Sequence, residues 1–246
     1  MKSRFPLLTL TVVCLVFVCA ATGAIQKPTT ARGVSLVEIG EFHGDEVTAR
    51  TGEKWLGLHI SDHASTLLNY RLTVQIVHDT VVDDDTDQET GKRISIDLPL
   101  QPIFLVKGAM MLSDGPVSTV FKGGNSEITL KTESPIKLEL AESSYELKVV
   151  GSEDTAKCPD ESLPRNARLV LVSGESKQVL YSLEECGSDP SWYLIWAGDL
   201  DRDGKLDLYL NVSQHYNISE KKLFLSSQAG KGQLVKQIAE FVTSGC

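Results

Sequence analysis

Four aspartates alternate with other residues in one short segment near the C-terminal end of the chain. The segment has the pattern D-x-D-x-D-G-x-x-D, and its acids are Asp199, Asp201, Asp203 and Asp207. Carboxylates at this spacing converge on one cation when the loop curls around it, and Gly204 permits the sharp turn that the curl needs. Calcium takes six to eight oxygen ligands, and the backbone carbonyl of Lys205 adds one to those of the side chains. The spacing therefore predicts a calcium site.

The same spacing begins an EF-hand loop, but the elements around it are different. An EF-hand closes with an acid at its twelfth position, where this chain has Leu210. The flanking runs 192–196 and 208–212 are rich in apolar and aromatic residues, as strands are. We therefore expect a turn between two strands to position the acids, and not the two helices of a calcium sensor.

From Ala197 to Leu208 the chain resembles the calcium loop of FG-GAP or integrin-type repeats, in which a metal sits in a β-hairpin turn. The resemblance implies a structural calcium ion with Asp207 as the closing carboxylate. Proteins of that type usually carry several copies that form a propeller, whereas this chain has a single copy. Only the local hairpin and its calcium ion are therefore carried over as expectations.

Three aromatic residues, Trp192, Tyr193 and Trp196, come directly before the acidic segment. Aromatic side chains at such a position usually wedge a hairpin against a core, and this interpretation is favoured here. The alternative is an exposed platform that binds carbohydrate or peptide.

A second acidic cluster lies between two predicted strands. It extends from Asp83 to Glu89 and has no glycine inside the run of acids, although Gly91 lies just beyond it. A solvated loop that discourages pairing at a sheet edge is the favoured interpretation. A weaker second calcium site is the alternative.

The five histidines are His43, His59, His63, His78 and His215. The leading interpretation places them on the surface or in the core, because the sequence shows no metalloprotease helix and no G-x-S-x-G nucleophile motif. The alternative makes the protein an exported hydrolase that uses His78 with Asp79, or His59 with Asp62. A pocket that gathers several of these histidines would favour that alternative.

The first 24 residues have the pattern of a signal peptide. Lys2 and Arg4 are followed by an apolar run from Leu7 to Ala20 and then by small residues up to Ala24. The apolar run is shorter than the roughly 20 residues that span a membrane, and no later stretch is long and apolar enough to do so. We expect export to the periplasm or the cell exterior, with a mature chain that is not transmembrane. A lipid anchor on Cys19 is the less favoured alternative.

Cleavage at this place would leave Cys158, Cys186 and Cys246. In an oxidising compartment two of the three would pair. Cys158 and Cys186 bracket a predicted hairpin and form the simplest pair, and Cys246 could instead reach either of them. Cleavage also removes two positive charges and no acid, which changes the formal net charge from -9 to -11.

Strand signals dominate the chain after the signal peptide, and the predicted fold is all-β and mainly antiparallel. The expected division is a sandwich-like region over residues 25–150, a linker or crossover over 151–166, and a smaller C-terminal β region over 167–246 that carries the calcium loop. Alternation of polar and apolar residues is clearest in the run 70–77. Residues 61–69 and 231–241 are the two segments that could form short helices, and the second also fits a strand.

The sequence thus predicts an exported, calcium-stabilised β protein with a binding or structural role and no catalytic activity. Its acidity, with an isoelectric point near 5.1, argues against nucleic acid as a partner. An unidentified protein or a cell-envelope polymer is the expected partner.

Overall fold

The computed structural model describes residues 33–61, 64–84, 87–122, 127–151, 158 and 163–245. These residues form sixteen β-strands and no helix, so the fold is all-β as predicted. In chain order the strands are β1 (Ser35–Val37), β2 (Gly40–Phe42), β3 (Lys54–Ile60), β4 (Ser65–Val77), β5 (Gly91–Ile96), β6 (Pro102–Lys107), β7 (Gly115–Lys122), β8 (Ile128–Thr129), β9 (Ile136–Leu140), β10 (Ser143–Val150), β11 (Arg168–Ser173), β12 (Ser176–Ser182), β13 (Ser191–Asp199), β14 (Asp207–Ser213), β15 (Ile218–Leu225) and β16 (Lys236–Ser244).

Twelve of the strands form one antiparallel sheet. Its main path runs β1-β6-β3-β4-β7-β13-β14-β15-β16, while β5 pairs with β2 and β4, and β8 pairs with β13. The strands β1 and β16 at the two ends of the path lie beside each other, so the sheet nearly closes on itself. Strand β13 is central, because it joins strands from the first half of the chain to the C-terminal hairpins.

The other four strands form a smaller antiparallel sheet in the order β12-β11-β10-β9. Ser173 pairs with Ser176, so the turn between β11 and β12 is the hairpin turn that the sequence predicts. Strands β10 and β11, which flank the predicted crossover 151–166, are neighbours in this sheet. Strands from both predicted regions thus contribute to both sheets, and the division into domains stays a prediction.

Two hydrophobic clusters cover the two faces of the hairpin β13–β14. Tyr209 and Trp196 belong to the cluster inside the large sheet, together with Phe104. Leu208 and Leu210 belong to the other cluster, which includes the inward-facing residues of the small sheet. The change of cluster from Leu208 to Tyr209 and again to Leu210 follows from the alternation of side chains along a strand. The acidic segment therefore lies at the end of a hairpin that is buried on both faces.

By sequence, residues 61–69 are one of two segments that could form a short helix, and that possibility is wrong, because β4 begins at Ser65. Ser65, Leu67 and Tyr70 are buried while Asn69 is exposed, which is the pattern of a half-buried strand rather than that of a helix. The other segment that could be helical, 231–241, contains the start of β16, so its alternative interpretation as a strand is correct. In both segments β-sheet pairing overrides the weak local preference.

Candidate metal centre

The acidic segment is the turn of the hairpin formed by β13 and β14. Strand β13 ends at Asp199, β14 begins at Asp207, and Gly198 pairs with Asp207 directly below the turn. Leu200 and Leu206 are fully buried and fix the turn from its inner side. Gly204 has a φ of 82°, a left-handed conformation that glycine adopts readily and that makes the sharp turn expected there. The strand flanks of this turn are also as predicted.

The turn brings three of the four aspartates together. One carboxylate oxygen from each of Asp199, Asp201 and Asp207 lies within 4.8 Å of the other two. Asp207 is fully buried, Asp199 is 8% exposed, and Asp201 is half-buried. Among the described residues, this is the one set of three potential protein ligands that converges in this way. The cluster could therefore hold a metal ion.

Asp203, the fourth predicted aspartate, lies at the edge of this cluster, and Lys205, the remaining predicted ligand, follows it in the turn. Asp203 is exposed, and its carboxylate oxygens accept hydrogen bonds from the Ser226 hydroxyl at 2.9 and 3.0 Å. The backbone N–H of Lys205 donates to Asp203 Oδ1 at 2.9 Å, and the Lys205 side chain is exposed. Asp203 thus braces the turn and lies outside the group of three converging carboxylates.

Backbone N–H groups orient the buried carboxylates. Asp199 accepts hydrogen bonds from the N–H groups of Asp203 and Gly204, each at 3.0 Å, and these bonds curl the turn back on itself. Asp207 accepts one from the N–H of Leu200 at 2.7 Å. Hydrogen bonds to an ionised carboxylate favour its charged form.

The electrostatic environment of the cluster is strongly unfavourable for its negative charge. Burial raises the pKa of Asp207 to about 7, and the nearby charge of Asp201 adds to this rise. Burial and the neighbouring charges of Asp203 and Asp199 also raise the pKa of Asp201. No lysine or arginine within the described residues forms an ion pair with these acids. A divalent cation would supply the missing positive charge.

Two serines after β15 contact the cluster, and the sequence motif does not include them. Ser226 donates its backbone N–H to Asp207 at 2.7 Å, and its single hydroxyl proton is shared between this carboxylate, at 3.0 Å, and that of Asp203. The hydroxyl of Ser227 donates to Asp201. Leu208 pairs with Phe224 in the next hairpin, and this register places residues 226–227 beside the turn. The contact of these serines with the turn depends on that long-range pairing, so it could not be predicted from the spacing of the acids.

Arg202 attaches the turn to the connection between β6 and β7. Its guanidinium donates to the Ser113 hydroxyl at 2.8 Å and to the Pro116 carbonyl at 2.9 Å, with further bonds to the carbonyls of Ser113 and Asp114. Gly115 has a φ of 120°, and a Cβ there would lie 3.2 Å from Arg202 Nη2. The absence of a side chain at Gly115 therefore allows the guanidinium to approach closely.

In the second acidic cluster, Asp83 has a structural role. Asp83 is buried, and its carboxylate accepts hydrogen bonds from the N–H groups of Asp79 at 2.7 Å and Thr90 at 3.0 Å. These bonds close the loop between β4 and β5. Asp85 lies outside the described residues, so the alternative of a second calcium site stays a prediction.

Asp79 pairs with a histidine, but its partner is His43 and not the adjacent His78. His43 Nδ1 lies 2.5 Å from Asp79 Oδ2. The hydrogen bond raises the pKa of His43 and lowers that of Asp79. His78 instead donates from Nδ1 to the carbonyl of Gln88 at 2.9 Å.

The other predicted pair, His59 with Asp62, cannot be placed because Asp62 lies outside the described residues, so it stays a prediction. His59 donates from Nδ1 to the carbonyl of Gln101 at 3.2 Å, and both Asp62 and His63 lie outside the described residues. The ring of His215 lies beside that of Tyr216, with a centroid distance of 4.5 Å. Trp192 and Trp196 are almost completely buried, so they belong to the core and not to an exposed aromatic platform.

Cys158 and Cys186 form a disulfide bond, as the simplest pairing predicts. Cys246 lies outside the described residues. Within the part of the chain that the structure describes, no helix is long and apolar enough to cross a membrane. No family model, curated protein or solved structure matches the chain.

Proposed function

We propose that this protein is an exported, non-catalytic β protein whose C-terminal hairpins are stabilised by one calcium ion. Its role is binding or structural support in the periplasm or at the cell exterior, with a protein or a cell-envelope polymer as partner. The observation that carries the proposal is the convergence of Asp199, Asp201 and Asp207 within 4.8 Å, with no cationic side chain of the described residues paired to them.

Calcium fits the donor set better than a softer metal does. Every potential ligand of the turn is an oxygen, and hard cations such as calcium prefer carboxylate, carbonyl and hydroxyl oxygens. Asp203 and the hydroxyls of Ser226 and Ser227 adjoin the converging carboxylates and offer further oxygens. The Lys205 carbonyl, in the same turn, is the further oxygen that the sequence predicts as a ligand. The resemblance of residues 197–208 to an FG-GAP or integrin-type loop supports the same choice.

Two features support export. The Cys158–Cys186 disulfide is compatible with an oxidising compartment. The first 24 residues have the basic, apolar and small-residue succession of a signal peptide. An anchor on Cys19 remains the less favoured variant of this proposal.

Thermal unfolding of the purified protein, with increasing calcium or with excess chelator, tests the proposal. A ligand that binds only the folded state stabilises it by about 2.7 kcal/mol at 100 times its Kd. We expect calcium to raise the Tm, magnesium to raise it much less, and Asp201→Asn to abolish most of the calcium response. Glu142→Gln, at an exposed acid between β9 and β10, is the control and should respond like the wild type. A calcium response that is equal in wild type and Asp201→Asn, or absent from both, would refute the site.

A further inference from the structure

Arg202 belongs to the acidic turn, but its side chain binds a different part of the chain. It stands between Asp201 and Asp203, two of the predicted ligands. All three nitrogens of its guanidinium group donate hydrogen bonds, at 2.8 to 3.2 Å, to acceptors on residues 113–116. These residues end the β6–β7 connection and begin β7. They lie 86 to 89 residues away in sequence, so the contact exists only in the folded chain.

The backbone conformation of Arg202 is one that residues with a Cβ rarely adopt. Its φ is 64°, which is left-handed. The next backbone N–H, that of Asp203, donates to Asp199 Oδ1 at 3.0 Å and to Asp201 Oδ1 at 3.3 Å. The reversal of the chain at Arg202 therefore orients two of the three converging carboxylates. A residue in such a conformation needs contacts that hold it there, and the bonds to residues 113–116 are of this kind.

We propose that Arg202 is a positioning residue for the calcium ion, although it supplies no ligand atom. By docking on residues 113–116, its guanidinium holds the turn in the curled shape in which Asp199, Asp201 and Asp207 converge. Because the turn is ordered before the ion arrives, less of the binding free energy is lost in ordering it. This inference rests on the proposed calcium site and names a residue that determines the affinity of that site.

The same contact couples the metal centre to residues 113–116. Coupling between two sites is reciprocal, so if the docking of Arg202 strengthens calcium binding, calcium strengthens the docking by the same factor. Calcium should therefore restrict the motion of residues 113–116, although none of them is a predicted ligand.

Charge and positioning predict opposite effects when Arg202 is replaced. Arg202 carries a positive charge next to two ligands of a cation. On charge alone, removal of the guanidinium lessens the repulsion of the ion, and calcium would bind more tightly. Loss of the docking contact should instead weaken calcium binding. The direction of the change in affinity therefore separates the two explanations.

Isothermal titration of the full purified chain with calcium tests the proposal, with circular dichroism to establish that each variant is folded. We expect Arg202→Ala to weaken calcium binding by about five- to tenfold. Arg202→Lys keeps the charge but not the planar fork, and should weaken it by a similar factor. Arg71→Ala is the matched control, because Arg71 is also exposed and donates to a backbone carbonyl, that of Gly52. It should keep the wild-type affinity.

Hydrogen exchange of residues 109–115 gives a second readout, which a merely stabilising contact would not link to calcium. In the wild type, calcium should slow this exchange about fivefold, and in Arg202→Ala it should leave the exchange unchanged. Ser113→Ala removes the hydroxyl that accepts from Arg202 Nη1 at 2.8 Å and lies outside the metal turn. It should weaken calcium binding by a smaller factor, and it tests the contact even if Arg202→Ala fails to fold.

The outcomes distinguish this inference from the proposed function. If the wild type binds no calcium, both fail. If the wild type binds calcium but Arg202→Ala and Arg202→Lys bind it as tightly or more tightly, this inference alone is overturned. Equal protection of residues 109–115 by calcium in the wild type and in Arg202→Ala would overturn it as well.

Discussion

At the residue scale, Asp207 is the carboxylate of the candidate metal centre whose burial opposes its charged form most strongly. It is fully buried at the start of β14, and its carboxylate accepts hydrogen bonds from the backbone N–H groups of Leu200 and Ser226. Burial nevertheless raises its pKa to about 7. The hydrogen bonds therefore do not offset the free-energy cost of removing this charged carboxylate from water. A bound cation would stabilise its charged form.

Replacement of Ser226 by alanine tests how much the turn depends on hydroxyl donors. The change removes the hydrogen bonds to Asp203 and Asp207 and leaves a buried carboxylate with one donor fewer. We expect the free energy of unfolding to fall by about 1–3 kcal/mol, measured by urea denaturation in the presence of chelator. Ser227→Ala, at an exposed neighbour, should cost less than Ser226→Ala. Equal costs would show that burial of the hydroxyl is irrelevant.

At the element scale, the hairpin β13–β14 is held in two directions. Its strands pair with β7 on one side and β15 on the other, and its turn is attached to residues 113–116 by Arg202. The turn thus holds residues 113–116 and the C-terminal hairpins together, although these segments are far apart in the chain.

Replacement of Arg202 by alanine removes this attachment. Because the bonds of the guanidinium are exposed, we expect a loss of about 1–2 kcal/mol in the free energy of unfolding, from thermal or urea denaturation. Lysine at the same position keeps the charge but not the planar fork, and should recover less than half of the loss. Lys205→Ala, in the same turn, should change stability by less than about 0.5 kcal/mol. An Arg202→Ala variant as stable as Lys205→Ala would show that the attachment contributes nothing.

Lys222 makes a second connection, between β15, β16 and the small sheet. Its buried ammonium group lies 2.7 Å from Glu220 and 2.8 Å from Glu240, and 5.4 Å from the centre of the Tyr181 ring. Burial alone would raise the pKa of Glu240, but the hydrogen bond and charge of Lys222 outweigh it and lower the pKa. The stabilisation from this carboxylate is therefore present above its ordinary pKa and is lost as the pH falls through the lowered value.

Urea denaturation between about pH 3 and 7 checks this sign. Glu240→Gln should be less stable than the wild type at neutral pH, and the difference should shrink as the pH falls and Glu240 takes up its proton in the folded chain. Glu142→Gln, at an exposed position, should follow the wild type throughout. A difference for Glu240→Gln that is constant across this range would mean that its charge has no part in stability.

The local elements of this protein can be predicted from the sequence, whereas its pairing cannot. The alternation in residues 70–77 and the pattern of acids from Asp199 to Asp207 both reflect local geometry, and both lie where expected. The pairing of β7 with β13 and the approach of Ser226 to Asp207 depend on residues distant in sequence. The His43–Asp79 pair was missed for the same reason, because adjacency in sequence favoured His78.

At the scale of the whole molecule, the disulfide bond complements the packing of the two sheets. Cys158 and Cys186 are 28 residues apart and enclose β11 and β12 of the small sheet. Cys186 also lies shortly before β13, so the bond fixes the chain where it passes from the small sheet into the large one. Closing a loop of this length stabilises the folded state by restricting the unfolded chain.

The double variant Cys158→Ala and Cys186→Ala measures this contribution. For a loop of this length, the chain-entropy argument gives a loss of about 3–4 kcal/mol in the free energy of unfolding. Reductant should lower the free energy of unfolding of the wild type by a similar amount. It should not change the free energy of unfolding of the double variant. If reductant still destabilises the double variant, the effect of the reductant does not come from the Cys158–Cys186 bond.

The strand order also determines when the large sheet can form during synthesis. Strand β7 is complete at residue 122, but its partner β13 ends only at residue 199, after the whole small sheet has been made. A chain that emerges from its N-terminus therefore carries an unpaired edge on β7 from residue 122 until β13 begins at residue 191, and such an edge is prone to wrong pairing. The acidic turn follows β13 directly. The residues that would capture calcium thus emerge together with the strand that joins the two halves of the sheet.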